Sequence, residues 1–264
     1  MQSSWLEATF GLAKPLIGMV HVRPLPGSPG YNGDMQAVIE AAVRDARALA
    51  EAGFDGLLIE NFGDTPFFPE KVPDVTVASM TLVCDRVRQA VGLPVGVNVL
   101  RNDAMAALSI ATVVGARFIR VNILAGASVT DQGLIQGKAH ELLRARKALG
   151  SEVYVLADVL VKHAAPLGSS DVVRQSRELV ERAHADAIII TGKATGDPPA
   201  VETVAEVRQA LPQCLLLVGS GVNPTNVQQF RSMCDGFIVG TCLKEEGQVS
   251  VRRARELVQA VRGK

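Results

Sequence analysis

Aromatic residues make up only 4% of this 264-residue chain, too few for the stacked platforms that hold single-stranded nucleic acid. Neither charge is in excess, with 27 Lys and Arg against 27 Asp and Glu, so no general attraction to nucleic acid or acidic membranes is expected. The four cysteines, Cys84, Cys214, Cys234 and Cys242, form no CxxC pair and have no metal-site spacing. They point to a reducing, cytoplasmic setting. HExxH and EF-hand patterns are missing, so no metal is expected, although Asp158, Glu60, His21 and Asn98 are residue types that a divalent cation would accept. No cofactor is expected either. The first twenty residues have no basic region followed by a long apolar run, so no signal peptide is expected. The most apolar helix-like stretch, residues 104–116, is too short to span a bilayer. It reads as a buried or interface helix and is the one hint of a homo-oligomer. Any membrane contact would be peripheral.

What is present is a regular alternation. Short runs rich in Val, Ile and Leu, at 16–22, 56–61, 95–100, 118–124, 153–162, 187–192, 215–219 and 236–241, are each followed by a longer amphipathic stretch. Continuously apolar strands are buried on both faces, which implies a parallel sheet. Eight strand–helix units in this length predict one α/β domain, a closed (β/α)₈ TIM barrel over residues 1–264. The alternative, a doubly wound open sheet, lacks a dinucleotide fingerprint after the first strand. A weak repeat supports closure: "EAGFDGLLIENF", "VVGARFIRVNIL", "RAHADAIIITGK" and "SMCDGFIVGTCL" lead into strands two, four, six and eight. The segments that leave strands are long and those that enter them are short. The irregular chain therefore gathers at the strands' C-terminal ends, where barrels carry their active sites.

Polar residues interrupt the same rim. In "VGSGVNP", Gly219, Ser220 and Gly221 leave backbone N–H groups uncovered, and a helix is expected to start near Pro224 with Asn223 as its cap. Gly240 and Thr241 follow the eighth strand. Loops after strands seven and eight often cradle a phosphate, so the missing side chains are read as room for phosphate oxygens; tight packing is the plainer reading. Asp158 breaks an apolar strand. Alternation sets Lys162 on its face, as its ion-pair partner, as a group holding a substrate carbonyl or phosphate, or as a Schiff-base lysine. His21, which ordinarily titrates near neutrality, is an acid–base candidate. Glu60, Asn98, Arg120 and Asn122 are expected to meet inside, with Glu60–Arg120 either a structural salt bridge or a binding pair. Thr191 and Lys193 close strand six, and His163 lies in the loop after strand five. Phe67 and Phe68 form a lid or a partner contact, or pack on the barrel. Asp158, Lys162 and His21 are thus the catalytic candidates. The ligand-binding candidates are Glu60, Asn98, Arg120, Asn122, Thr191, Gly219, Ser220, Gly221, Gly240 and Thr241.

Across "IGMVHVRPLPGSPGY", "GFDGLLIENFGDTPF", "GVNVLRND", "FIRVNILAGASVTDQGLIQG", "LADVLVKHAAPL", "ITGKATGDPP" and "VGSGVNPTN", the chain resembles the BtpA family. The resemblance covers nearly every strand end. It implies kinship with phosphate-binding TIM barrels of the ribulose-phosphate type, and a link, in cyanobacterial members, to photosystem I biogenesis or stability at thylakoid membranes. It carries over no catalytic residue. Two functions are therefore expected. One is an enzyme acting on a phosphorylated small molecule by isomerisation, epimerisation or aldol-type cleavage. The other is a non-catalytic factor in peripheral contact with a membrane protein complex.

Overall fold

The computed structural model describes residues 5–192 and 194–263. The apolar runs form strands Leu16–His21, Gly56–Glu60, Val95–Asn98, Phe118–Val121, Tyr154–Val159, Ala187–Ile190, Leu216–Gly219 and Gly236–Val239, numbered one to eight below. Each pairs in parallel with the next, and the eighth pairs with the first through Leu16–Phe237, Ile17–Ile238 and Gly18–Val239. The barrel is closed, as the strand–helix alternation predicts. The strands stop earlier than the apolar runs suggest, so Asn122, Lys162, Thr191 and Thr241 lie just beyond them.

Nine α-helices among the described residues surround or close the barrel. They are α1 (Trp5–Phe10), α2 (Met35–Ala52), α3 (Asp74–Ala90), α4 (Ala104–Val114), α5 (Ala139–Ala148), α6 (Val172–Arg177), α7 (Val201–Ala210), α8 (Val227–Phe230) and α9 (Val251–Arg262). α2 shows why they form. Asp34 caps it by accepting from the Ala37 N–H at 2.9 Å, and Gly53, at φ 94°, ends it in the left-handed region. Val38, Ala42, Ala46 and Leu49 between them line one buried stripe. α4 is the apolar stretch noted above. It buries Leu108, Ile110 and Ala111 but leaves Val113 exposed.

Alternation divides each strand's side chains between two cores. Outward-facing residues join the helices. Inward-facing Ile17, Met19, Leu58, Phe118, Leu156, Ile189, Leu217 and Ile238 fill the lower barrel. Gly96 belongs to this packing, because a Cβ there would collide with the Phe118 ring. α1 closes the N-terminal end. Trp5 stacks on Tyr154 with ring centroids 4.3 Å apart, and Leu6 is fully enclosed. With apolar layers and a plug below, the inward positions at the top are the polar ones.

The repeat before the even strands has a physical basis. Asp55, Asp186 and Asp235 accept from the Leu16, Val155 and Leu216 N–H groups at 2.8, 2.7 and 2.9 Å. Their own N–H groups donate back to the carbonyls of those residues. Each aspartate thus clasps an even strand to the odd strand before it. Arg117 holds the corresponding place before strand four and keeps only the backbone bond, to Val95.

Two irregular segments have structure of their own. The loop after strand four is a hairpin, Ala127–Thr130 with Gly133–Gln136, which a strand from the next loop, Ala164–Pro166, extends into a three-stranded antiparallel sheet. The hairpin turns at Asp131–Gln132, where Gly133 has φ 94°. After strand seven the chain forms an Asx turn instead of the expected helix start. Asn223 Oδ1 accepts from the Thr225 and Asn226 N–H groups, and α8 begins only at Val227.

Candidate functional site

The C-terminal mouth of the barrel holds a cavity of about 570 Å³. Its wall includes His21, Glu60, Arg120, Asn122, Lys162, Ser220, Gly221, Gly240 and Thr241 from the expected set. Asn98, Asp158, Thr191 and Gly219 do not line it. Lys193 lies outside the described residues.

Asp158 stands behind the wall. Arg120 Nε and Nη2 donate to its two oxygens at 2.9 Å each, and Asn122 Nδ2 donates to Oδ2 at 2.8 Å. All four residues of the expected Glu60–Asn98–Arg120–Asn122 meeting are buried, but they divide into two groups. Asn98 Nδ2 donates to Glu60 Oε2 at 2.5 Å, whereas Arg120 pairs with Asp158 rather than with Glu60. Glu60 is therefore the strand-end carboxylate that reaches the cavity, and Asn98 fixes it.

Lys162 is not the partner of Asp158. The fifth strand ends at Val159, and Leu160 takes φ 49°, so the two-residue alternation no longer applies. Lys162 Nζ instead crosses the mouth and donates to Ser220 Oγ at 2.9 Å. Burial, and then the nearby Arg120 charge, lower its pKa from the ordinary lysine value.

His21 does not keep a near-neutral titration. Burial first, then the Lys244, Lys162 and Arg120 charges, lower its pKa to about 3. Lys244 Nζ lies 2.8 Å from Nδ1. An ammonium can only donate, so Nδ1 accepts and the ring proton sits on Nε2, which is 3.9 Å from Glu60 Oε1. Phe62 stacks on the ring at 4.5 Å. His21 is thus a neutral N–H donor facing Glu60.

The glycines serve different purposes. A Cβ on Gly221 would strike the Asp197–Pro198 backbone, and one on Gly219 would lie 2.9 Å from Ile189 Cγ2, so close packing demands both. Ser220 and Gly221 both have positive φ, 68° and 63°. Gly240 does face the mouth, with a Cβ position 3.2 Å from His21 Cε1. Among the described residues, the N–H groups of Gly221, Val222 and Thr241 take no part in the loop hydrogen bonds.

Arg101, Lys244, Phe62 and Asp131 are missing from the residues singled out in the sequence. Arg101 follows the third strand and donates from Nη2 to the Lys162 carbonyl at 2.6 Å. It continues the polar rim by one residue and was open to the same reasoning. Asp131, at the hairpin tip, and Lys244, within a charged segment, have no local signal. Phe67 lines the mouth, whereas Phe68 is half exposed. His163 reaches the rim beside Thr195 at 3.1 Å. Of the charged residues that line the cavity, Arg101, Arg120 and Lys162 stand against Glu60 and Asp131. Cationic groups are therefore in excess, in an enclosed site where each charge counts for more than in water.

The family model described as "BtpA family" matches residues 12–263. A protein of Thermococcus kodakarensis is 52% identical over 250 residues, covering 93% of this chain and 94% of that one. The photosystem I biogenesis protein BtpA of Synechocystis sp. is 48% identical over 245 residues, covering 93% and 85%. Among solved structures, thiamine phosphate pyrophosphorylase from Pyrococcus furiosus aligns with a TM-score of 0.61 at 12% identity, covering 95% of this chain and 96% of that one. N-(5'-phosphoribosyl)anthranilate isomerase from Pyrococcus furiosus aligns with a TM-score of 0.58 at 12% identity, covering 95% and 100%. These two likenesses are of fold.

Proposed function

The chain belongs to the BtpA family, and we propose that its cavity binds a phosphorylated small molecule, such as a sugar phosphate, and acts on it as an isomerase, epimerase or aldolase-type lyase. The observation that carries this reading is the contact of Lys162 with Ser220. A desolvated ammonium is held on Ser220, next in sequence to Gly221 and Val222, whose N–H groups, like that of Thr241, take no part in the loop hydrogen bonds among the described residues. A phosphate seated there gains charge-assisted hydrogen bonds and offsets the burial that lowers the lysine's pKa. The names of the two solved barrels, which include phosphorylated compounds, are in keeping with it.

In this reading Glu60 moves the proton, because it is the buried strand-end carboxylate in the wall. His21 Nε2–H and the Arg120 guanidinium stabilise charge that develops on a substrate oxygen. Asp158 is the positioning group that holds Arg120 and Asn122. Lys162 in its neutral form would also add to a carbonyl carbon with loss of water, giving the Schiff base of a lyase. The unpaired cysteines are in keeping with a cytoplasmic location.

The test is thermal. Inorganic phosphate at a hundredfold excess over its Kd stabilises a single-site protein by about 2.7 kcal/mol, several degrees in Tm for a chain of this size. K162A should lose most of that response. If neither phosphate nor sulfate moves Tm at millimolar concentration, the phosphate reading fails.

A second reading, a non-catalytic factor in the biogenesis or stability of a membrane complex such as photosystem I, has its own support. Val129 and Leu134 on the appended sheet, and Leu167 just after its third strand, are exposed apolar residues, and the Synechocystis relative carries photosystem I biogenesis in its name. Among the described residues, no helix is long and apolar enough to cross a membrane, so such contact would be peripheral. Self-association would use the exposed Met105 and Val113 of α4. Val129→Lys with Leu134→Lys should abolish partner capture and leave the phosphate response intact.

A further inference from the structure

Two buried polar atoms in the cavity wall have no hydrogen-bond partner among the described residues: Arg101 Nε and Asn122 Oδ1. Their residues are 5% and 3% exposed, and both line the mouth. Orphaned groups of this kind are unfavourable in a fold, and most so on a charged side chain. The Asn122 orientation is dictated chemically. Its other amide atom contacts Asp158, a carboxylate accepts only, so that atom is the nitrogen and the oxygen must face away. Arg101 is anchored from behind, its Nη2 on the Lys162 carbonyl and its backbone N–H on the Phe68 carbonyl. An anchored guanidinium whose buried Nε–H is unanswered suits an anion that reaches it.

Lys162 also sets the distance to the other end of the cavity. Its carbonyl touches Arg101 while its ammonium touches Ser220. The Arg101–Asn122 wall and the Ser220 loop are therefore about one lysine side chain apart.

We propose that Arg101 and Asn122 form a second subsite, which takes the far end of a phosphorylated hydroxy acid. Arg101 binds the carboxylate, and Asn122 Oδ1 accepts from the neighbouring hydroxyl. This deepens the function proposed above and rests on the Ser220–Thr241 loops being the phosphate end.

Titration calorimetry of the whole chain with four probes tests it: inorganic phosphate, glycerol 3-phosphate, glycerate and 3-phosphoglycerate. The expected result is that 3-phosphoglycerate binds about tenfold or more tighter than glycerol 3-phosphate, the worth of one charged hydrogen-bonded contact. R101Q should erase that difference by weakening 3-phosphoglycerate far more than glycerol 3-phosphate, while K162A weakens both phosphate esters. R101K keeps the charge in the wall but not the planar edge, so it should lose most of the advantage too, and it carries the test if R101Q does not fold. Equal affinity for the two esters in the unaltered protein overturns the subsite, as does an R101Q or R101K loss that falls equally on both. Glycerate binding that depends on Arg101, with no response to phosphate or glycerol 3-phosphate, upholds the subsite and removes the phosphate reading. Failure of all four probes to bind removes both.

Discussion

His21 is enclosed by charge. Lys244 lies on one ring nitrogen, Glu60 faces the other, and Lys162 and Arg120 add positive field. Its pKa of about 3 in the fold lies below the ordinary value near 6.5. The unfolded chain therefore takes up the proton first, and stability is lost as pH falls from about 6.5 towards 3, at no more than about 1.4 kcal/mol per pH unit. H21N supplies an oxygen for Lys244 and no titrating ring, so its urea midpoint should fall less steeply than that of the unaltered protein between pH 6 and 4. Parallel acid limbs would mean that His21 is not the group responsible. The histidine was legible as a rim residue, because it ends an apolar strand. Its titration was not, because burial, the main cause, and Lys244, from the far end of the chain, are both supplied by the fold. Asp158 was legible for the same reason as His21, as a charge interrupting an apolar run. Of the roles open to Lys162, that of ion-pair partner to Asp158 falls away because alternation extends only as far as the strand, and the chain turns at Leu160.

The elements were legible wherever burial imposed a period. Parallel strands with both faces covered read as apolar runs, and α2 or α9 as stripes of apolar residues three and four apart. The hairpin at 127–136 gave no such signal, since only Ile135 of its strands is buried and its pairing partner comes from a different loop. The repeat before the even strands was visible as a pattern, and the clasps supply its cause. Asp186 accepts from both the Val155 N–H and Arg146 Nη1. D186A leaves the Val155 N–H unanswered and Arg146 Nη1 with only the Val153 carbonyl at 3.2 Å, and should cost about 1–3 kcal/mol in urea unfolding. Arg117, at the equivalent place without the clasp, should tolerate alanine within about 0.5 kcal/mol. Equal losses at the two positions would mean that the clasp contributes nothing and the repeat is only turn chemistry.

At the scale of the molecule the barrel is polarised. One end is stoppered by α1, and the other carries the charged mouth, with apolar layers from Ile17 to Ile238 between them. α1 escaped the sequence reading because a six-residue helix has little stability of its own and is held by what it packs against. Trp5 shows that dependence. It stacks on Tyr154 and donates from Nε1 to the Asp186 carbonyl at 3.1 Å, tying the plug to strand five and to a clasp. W5A should therefore lower stability by about 3 kcal/mol, read from a urea transition followed by circular dichroism, because the substitution removes the chain's single tryptophan. The apolar layers stand between the mouth and this end, and effects at well-separated sites add. The Tm increment produced by phosphate should then be the same in W5A as in the unaltered protein, although both curves begin lower. An increment that shrinks with W5A would mean that the interior layers transmit the loss of the plug to the Ser220 and Thr241 loops, and that the two ends respond as one body.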